Sequence, residues 1–389
     1  MRIAFNSLSA SHGAGLSVFS AILPRISQRA PRDRYVLFYS SRQQKIADAV
    51  SDGFLKIRID YLPANAVVRI LWEQIALPLY LLRFRIDVLY SVGNTTSILA
   101  PCRIVLLIEN ANPFSLIFIK QSAGERLRNA LLYVLSFISA WRAQRVRFVS
   151  ENSHRLIAPR LRLSERKCSV VPHGVDRQRF SSLHSDVGRP HHSPYILAVG
   201  VNAQHRNISR LLKAFSLLSS RFSYEGDLIL LGYCSSRYRM VLDNEIRSLN
   251  IEGRVFFKGE LVHEKMVAYY LYADVLAAPS LEETFGIPLI EAMCSGVPVA
   301  AADCDEDISH RGKCFNPCRE ICGPAAAYFN PFDSESIARV IFSVLNDSQY
   351  RESLVFHGKN QAVRYDLDAT VGSLMRLLGS TVSRVTIES

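Results

Sequence analysis

The sequence lacks the features of membrane-spanning, fibrous and disordered proteins. Its most apolar helical stretch, residues 131–141, is far shorter than the roughly 20 residues needed to cross a bilayer. It contains no low-complexity tract, and 49% hydrophobic with 21% charged residues is typical of a globular protein. Residues 1–6 lack the charged, apolar and small-residue zones of a signal peptide. We therefore expect a folded, cytoplasmic chain.

Close cysteine pairs are also missing. None of the eight cysteines forms the C-x-x-C spacing of a zinc site, and in a large chain without a secretory signal we expect reduced thiols. Four of them do cluster around His310, and Pro317 interrupts any helix that would align them: Cys304, Cys314, Cys318 and Cys322. We expect no bound metal.

The net charge of +11 favours anionic partners. The basic residues are dispersed and form no aromatic–basic motif, which argues against nucleic acid. Residues 67–85 and 116–147 combine apolar positions with arginine and lysine. Such helices either lie on an anionic membrane surface or cover a sheet with their cations toward water, and the pattern alone fits both.

Short apolar runs alternate with helical patterns twice along the chain, which predicts an α/β protein with two parallel sheets. The predicted strands are residues 2–6, 34–39, 88–91, 104–108 and 146–150, then 195–200, 227–232, 255–258, 275–279 and 297–301. A short strand and a Pro/Gly turn at 169–176 mark the boundary. We expect domains at 1–172 and 173–365, with a C-terminal helix at 366–389 that crosses back to the first domain.

Residues 277–299 combine strand, loop and short helix with two carboxylates. Pro288 suits a first helical turn, and Gly286 to Leu289 leave backbone amides at a helix start, where a diphosphate binds well. Glu283 and Glu291 are eight positions apart and can face the same pocket. Their carboxylates would accept hydrogen bonds from sugar and ribose hydroxyls.

A second polar loop follows the predicted strand 195–200. It carries Arg206, whose guanidinium can hold a leaving diphosphate and stabilise the charge that develops on it. An ordinary surface arginine is the alternative.

The order of these segments, with 171–176 before them and 320–331 after them, resembles retaining GT-B glycosyltransferases of the family-four type. That resemblance implies two Rossmann-like domains whose parallel sheets face each other across a cleft. It implies that Glu283 touches the donor sugar, Glu291 holds the ribose and Arg206 binds the diphosphate. Phe285, Gly286, Ile287 and Pro288 would supply backbone contacts, and neither metal nor cofactor would be needed.

The N-terminal half resembles the same family more weakly. Gly13 and Gly15 match a glycine-rich loop that lets donor and acceptor approach the backbone, with a plain flexible turn as the alternative. Many relatives have a histidine after the fourth strand, whereas this chain has Glu109 and Asn110 there. We expect these two to contact donor sugar or acceptor. The segments 72–74 and 150–153 resemble family positions with a mainly structural role.

The resemblance therefore implies a metal-independent, retaining hexosyltransferase that uses a nucleotide diphosphate sugar, with GDP-mannose favoured. The acceptor would be a glycan or lipid-linked saccharide in surface polysaccharide biosynthesis, reached by peripheral contact with the inner face of the membrane. Two alternatives remain open at this point: a non-catalytic nucleotide-sugar-binding scaffold, and a GT-B sugar-nucleotide epimerase.

Overall fold

The computed structural model describes residues 1–10, 14–60, 66–114, 123–181, 188–201, 204–261, 263–304 and 314–383. They form two compact units. The first comprises the described parts of Met1–Phe114, Gln121–Gly174 and Leu367–Ser389, and the second those of Val175–Asp366.

The first unit is built on a seven-stranded parallel sheet in the order β3-β2-β1-β4-β5-β6-β7. Its central strands are buried along their length because helices cover the sheet, so they are continuous apolar runs. The strands are β1 (Arg2–Asn6), β2 (Arg34–Tyr39), β3 (Phe54–Arg58), β4 (Val88–Ser91), β5 (Arg103–Ile108), β6 (Arg145–Phe148) and β7 (Cys168–Val170).

The described helices that lie between these strands are α1 (Ala14–Arg29), α2 (Gln44–Ala49), α3 (Ala66–Arg83), α4 (Ala123–Arg142) and α5 (Glu151–Arg160). The inner sides of α3 and α4 join one hydrophobic cluster with strands β1, β4 and β5. These two helices therefore cover the same side of the sheet. Helix α5 is capped by Ser150, whose side chain accepts a hydrogen bond from the Ser153 N–H at 2.9 Å.

The second unit has a six-stranded parallel sheet in the order β10-β9-β8-β11-β12-β13. Its strands are β8 (Tyr195–Val199), β9 (Asp227–Leu231), β10 (Val255–Gly259), β11 (Val275–Ala278), β12 (Val299–Ala302) and β13 (Ala326–Phe329). Its described helices are α6 (Arg177–Ser181), α7 (Ile208–Arg221), α8 (Ser236–Ser248), α9 (His263–Leu271), α10 (Ile287–Cys294), α11 (Cys318–Cys322), α12 (Ser334–Asn346) and α13 (Ser348–Ala362).

The last described helix, α14 (Leu367–Ser383), belongs to the first unit. It packs against α1 and β5. The Arg25 guanidinium lies 3.2 Å from the Asp368 carboxylate, and Arg29 donates to the Asp368 carbonyl at 3.3 Å. The chain thus returns to the first unit after completing the second.

Both sheets reverse their strand order once, between β1 and β4 in the first unit and between β8 and β11 in the second. Loops that leave the carboxyl ends of strands on either side of such a point diverge and leave a crevice for a ligand. The fold therefore predicts ligand sites after β1 and β4, and after β8 and β11.

The ten predicted strands are all present, with ends within two residues of those expected. Strands β3 and β13 were not predicted. β3 is an edge strand with mostly exposed side chains, and β13 is a short segment, Ala326–Phe329, that follows a 3-10 turn. Within the described residues, no helix is both long enough and apolar enough to cross a membrane.

Candidate functional site

A pocket opens where the loops after β8 and β11 diverge. Strand ends form its floor, and the start of α10 forms one wall. Its lining includes Gly200, Arg206, Ser280, Glu283, Gly286, Pro288 and Cys318. The structure thus brings Arg206, Glu283, Gly286 and Pro288 together, although 77 positions separate Arg206 from Glu283.

Arg206 is the cation of this pocket. Its guanidinium packs over Gly200, since a Cβ there would lie 3.5 Å from Arg206 Cζ. Its Nη1 donates to Glu283 Oε2 in an ion pair, with both side chains about one-fifth exposed. Its Nε is buried and has no hydrogen-bond partner among the described residues. A guanidinium with an unused buried donor suits an anionic ligand.

The two loops are held together by backbone and amide hydrogen bonds. Asn207, in the left-handed conformation at φ 60°, donates to the carbonyls of Pro279 at 3.0 Å and Pro331 at 2.8 Å. The Leu281 N–H donates to the His205 carbonyl at 2.8 Å. Burial and the neighbouring Arg206 lower the pKa of His205 to about 4, so this imidazole is neutral at pH 7. The loop's positive charge therefore comes from Arg206.

Glu283 is positioned by its backbone as well as by Arg206. Its N–H donates to the Phe315 carbonyl at 2.8 Å, and the Phe315 N–H donates to the Leu281 carbonyl at 2.7 Å. This short parallel bridge fixes the loop that carries the carboxylate.

The start of α10 offers fewer backbone donors than expected. Pro288 has no N–H, and the Leu289 N–H already donates to the Gly286 carbonyl at 3.0 Å. The amides of Gly286 and Ile287 therefore remain as the candidate phosphate donors of this turn. Gly286 precedes the helix at φ 93°, and a Cβ there would lie 2.8 Å from Leu289 Cδ1. The turn requires glycine.

Phe285 and Ile287 are buried. The Phe285 ring packs edge-on against Tyr365, with centroids 5.7 Å apart. The described lining of the pocket contains neither side chain. Their predicted backbone contacts with a ligand stay a prediction.

Glu291 lies in the middle of α10 and is also absent from the described pocket lining. It is 6% exposed and accepts a hydrogen bond from the Tyr270 hydroxyl at 2.6 Å. Burial raises the pKa of Glu291 to about 7, against the opposing effect of the Tyr270 hydrogen bond. The carboxylate is therefore tied to helix α9, and its contact with a ribose stays a prediction.

Glu109 is the centre of a second polar cluster, at the carboxyl end of β5 in the first unit. A Cβ at Gly15 would lie 3.3 Å from Glu109 Oε1, and Glu109 Oε2 lies 3.9 Å from His173 Nε2. Burial raises the pKa of Glu109 to about 7, although the Arg147 guanidinium lowers it. Burial and Arg147 hold the pKa of His173 well below its usual range. Gly13 lies outside the described residues.

The Arg147 guanidinium is fully buried beneath this cluster. It donates to the carbonyls of Val171 at 2.9 Å and Pro172 at 3.1 Å and to the Tyr90 hydroxyl at 2.8 Å. It therefore fixes the segment that carries His173. Sequence reasoning missed Arg147, because an arginine in a β-strand is normally exposed.

The sequence also did not identify Asn94 as a residue of this cluster. In the left-handed conformation at φ 70°, its Oδ1 accepts the N–H groups of Glu109 and Asn110, both at 3.1 Å. Its Nδ2 donates to the Asn110 carbonyl at 2.7 Å. Asn94 thus sets the backbone of the two predicted contact residues. A Gly-Asn pair after strand β4 was the available signal.

The segments that were expected to be structural are structural. Glu73 accepts a hydrogen bond from Asn6 at 3.0 Å, and Gln74 accepts one from the Ile98 N–H at 2.8 Å. Trp72 is buried in the core, and Ser150 caps α5.

The expectation that all cysteines are reduced is wrong for two of them. Cys304 and Cys314 form a disulfide, with Cα atoms 5.6 Å apart, so these two are not reduced thiols. Their spacing of ten residues gave no C-x-x-C signal. Cys318 and Cys322 are buried free thiols on α11.

One group in the described chain has the composition of a metal site: His191, His192 and Asp227. Asp227 already bonds His191 at 2.6 Å and lies 4.0 Å from Arg254. A buried carboxylate that bonds a histidine and lies near an arginine is satisfied without an ion.

Comparison with known proteins finds a family match within the second unit. Residues 180–361 match the model of the glycosyl transferases group 1 family. The O-antigen chain mannosyltransferase RfbU of Salmonella typhimurium is 27% identical over 231 residues, 59% of this chain and 58% of that protein. A phosphatidyl-myo-inositol mannosyltransferase of Mycolicibacterium smegmatis is 26% identical over 213 residues, 53% of this chain and 50% of that one. The chain spans about half the length of these curated relatives.

Solved structures match almost the whole chain. Sucrose-phosphate synthase of Thermosynechococcus elongatus has a TM-score of 0.76 at 17% identity, covering 98% of this chain and 99% of that one. Anabaena HepE in complex with UDP-glucose has a TM-score of 0.76 at 16% identity, covering 98% and 100%. At these identities the likeness establishes the fold. Residues 180–361 thus resemble the glycosyl transferases group 1 family, on a chain with the GT-B fold.

Proposed function

We propose that this protein is a retaining glycosyltransferase that moves a hexose from a nucleotide diphosphate sugar to a glycan or lipid-linked acceptor in surface polysaccharide biosynthesis. The observation that carries the proposal is the pocket between the loops after β8 and β11, with Arg206 and Glu283 paired within it. In a doubly wound sheet this is the position of a nucleotide ligand.

The diphosphate is the charged part of such a donor. In the proposal the unused Arg206 Nε and the amides of Gly286 and Ile287 receive its oxygens. The carboxylate of Glu283 then accepts hydroxyl hydrogen bonds from the sugar. Glu291 is assigned to the ribose on the family resemblance, and this requires its carboxylate to be shared with Tyr270.

The proposed reaction exchanges one bond at the anomeric carbon for another. The bond from C1 to the diphosphate oxygen breaks while the acceptor oxygen bonds to C1 on the same face. The acceptor proton leaves with the diphosphate. Catalysis then depends on holding the reactants in position and on the charge of Arg206 at the departing oxygen, with no metal ion required.

Glu109, Asn110 and Gly15 are proposed to contact the acceptor or the donor sugar. With a pKa near 7, the Glu109 carboxyl is partly protonated at neutral pH and both donates and accepts hydrogen bonds. We assign it a binding role rather than that of a general base. The His173 imidazole is neutral, and its Nε2 lies 3.9 Å from Glu109 Oε2. It is therefore the group toward which the protonated Glu109 carboxyl can direct its O–H.

The proposed donor is GDP-mannose. Its support is that several relatives are mannosyltransferases of O-antigen chains or of phosphatidyl-myo-inositol. The structural neighbour HepE was solved with UDP-glucose, so UDP-sugars are the second class of donor to test.

Thermal-shift titration tests the proposal. The full chain is melted with UDP-, GDP-, dTDP- and ADP-sugars in the presence of EDTA, for wild type, Arg206→Ala and Arg221→Ala. Arg221 is an exposed arginine at the end of α7, so it is the matched control. A ligand at 100 times its Kd stabilises the native state by about 2.7 kcal/mol. We expect one nucleotide class to raise the Tm of wild type and Arg221→Ala but not of Arg206→Ala.

The outcomes separate the alternatives. Binding without transfer to any lipid or glycan acceptor favours a scaffold, and release of an epimerised nucleotide sugar favours an epimerase. No shift with any nucleotide sugar contradicts the proposed donor pocket.

A further inference from the structure

Helix α3 is apolar on the side that faces water as well as on the side that faces the core. Trp72, Leu77 and Leu81 are buried in the sheet-covering cluster. Four other large apolar side chains are between 54% and 68% exposed, at successive intervals of four, four and three residues: Leu71, Ile75, Leu79 and Leu82. This spacing places them on one outer face of the helix.

Helix α4 repeats the feature. Its outer face carries five apolar side chains that are 38% to 74% exposed, at intervals of four, three, four and three: Leu127, Leu131, Val134, Ile138 and Trp141. Single exposed leucines are normal on a protein surface, but a helix-length row of them is not.

The two rows belong to one surface. Both helices cover the same side of the sheet, and both bind the loop between β4 and β5. Gln74 of α3 donates to the Thr96 carbonyl at 3.1 Å, and Arg142 of α4 donates to the Ile98 carbonyl at 3.0 Å. In that loop Leu99 is 68% exposed. We define the outer face of α3, Leu99 and the outer face of α4 as the apolar surface.

Four described arginines lie at the ends of the helices that form the apolar surface. Arg126 and Arg128 are exposed in the first turns of α4, and Arg83 and Arg85 are exposed at the end of α3. Among the side chains described on these helices, the only carboxylate is Glu73, which is buried against Asn6. The combination of apolar rows and terminal cations complements anionic phospholipid headgroups above acyl chains.

We propose that the apolar surface docks on the anionic phospholipid surface of a membrane, with α3 and α4 lying in the interface plane. The exposed indole of Trp141 suits the headgroup level. A second copy of the chain fits less well, because a twofold interface would bring the same arginines toward each other. The docking rests on the proposed function in one respect: its role would be to bring the enzyme to a lipid-linked acceptor.

Flotation with vesicles tests the docking. The full chain is mixed with neutral phosphatidylcholine vesicles or with vesicles containing 30% phosphatidylglycerol, a composition of roughly the anionic content that attracts basic segments. The docking variant carries Ile75→Ser, Leu79→Ser, Leu127→Ser and Trp141→Ser. The control carries Met240→Ser and Phe356→Ser, both 64% exposed on helices of the second unit. A charge variant carries Arg126→Gln and Arg128→Gln.

We expect wild type and control to float with the anionic vesicles, and the docking variant to float at least tenfold less. The charge variant should float less than wild type, and high salt should weaken wild-type flotation. Equal flotation of docking variant and wild type overturns the proposal, as does a wild-type dimer that the docking variant converts to a monomer. The thermal shift with nucleotide sugars should be the same in wild type and docking variant, so it reports on the donor pocket separately and also shows that the variant folds.

Discussion

Arg206 and Glu283 form an ion pair in the pocket at the carboxyl ends of β8 and β11, and each would be needed by a different part of the proposed donor. Glu283 occupies Nη1 of the guanidinium, whereas the proposed diphosphate contact is at Nε. In the proposed complex the carboxylate therefore reduces the positive charge that the diphosphate meets at Arg206.

Arg206→Ala should lower turnover by about 10² to 10³-fold, the loss typical of removing one group that stabilises developing negative charge. Arg206→Lys should recover only part of this, because an ammonium cannot bind two phosphate oxygens side by side. Initial rates with the nucleotide sugar that binds best measure both. Arg221→Ala is the control, and wild-type turnover in Arg206→Ala would show that the residue has no catalytic role.

Glu283→Gln should separate binding of the diphosphate from binding of the sugar. The opposing carboxylate charge is removed, so the sugar-free nucleoside diphosphate should bind roughly two- to fivefold more tightly, since a partly exposed ion pair contributes up to about 1 kcal/mol. Turnover of the nucleotide sugar should fall. Calorimetric titration and rate assays test this. Weaker binding of the diphosphate would mean that Glu283 positions Arg206 rather than reduces its positive charge.

The pH dependence of stability should report on Glu109 and Glu291. Burial raises the pKa of each carboxyl from 4.5 to about 7. Between those values the folded chain keeps protons that the unfolded chain has released, so the stabilising contribution present below pH 4.5 is lost as the pH rises through 7. We expect the Tm of wild type to fall from pH 5 to pH 8.

Glu109→Gln should flatten this fall, because a neutral amide replaces the carboxyl that must ionise. Glu335→Gln, which removes an exposed carboxylate on α12, is the control and should leave the slope as in wild type. A slope in Glu109→Gln that equals that of wild type would contradict the assigned pKa.

Gly286→Ala should destabilise the pocket. A Cβ would force Leu289 Cδ1, 2.8 Å away, to shift, and the left-handed conformation at φ 93° costs a non-glycine residue about 1–2 kcal/mol. Urea unfolding measures the loss of free energy of unfolding. Gly253→Ala, where a Cβ would meet nothing within 4 Å, should be close to neutral. Equal effects of the two substitutions would contradict the geometry of the turn.

The disulfide should be detectable by peptide mapping. Alkylation of the unfolded chain without reductant should leave Cys304 and Cys314 linked in one peptide pair, while the remaining cysteines are alkylated. After reduction all eight should be modified. Full alkylation without reductant would show that the two thiols are reduced in the isolated protein.

Much of the fold could be predicted because buried parallel strands are continuous apolar runs with turn residues at their ends. β3 could not, since an edge strand such as Phe54–Arg58 buries little and carries lysine and arginine. β13 is a short Ala-Ala-Tyr-Phe segment whose strand character comes from pairing with β12.

The candidate site was predictable where one segment contains the signal. Glu283 and Gly286 stand in one loop, so their shared pocket could be anticipated. Arg147 and Asn94 could not be found this way, because their roles depend on strands that are distant in sequence. Sequence spacing can also mislead. The eight positions between Glu283 and Glu291 suggested a shared pocket, but the Glu291 carboxyl is held by the Tyr270 hydroxyl.

The return of α14 to the first unit affects how the chain is made on the ribosome. Arg25 and Arg29 of α1 emerge early, but their partner Asp368 is synthesised only after the whole second unit. Domains usually fold as units in the order of synthesis. Here the first unit stays incomplete, with the surface of α1 and β5 that α14 covers still open, until translation has passed residue 383.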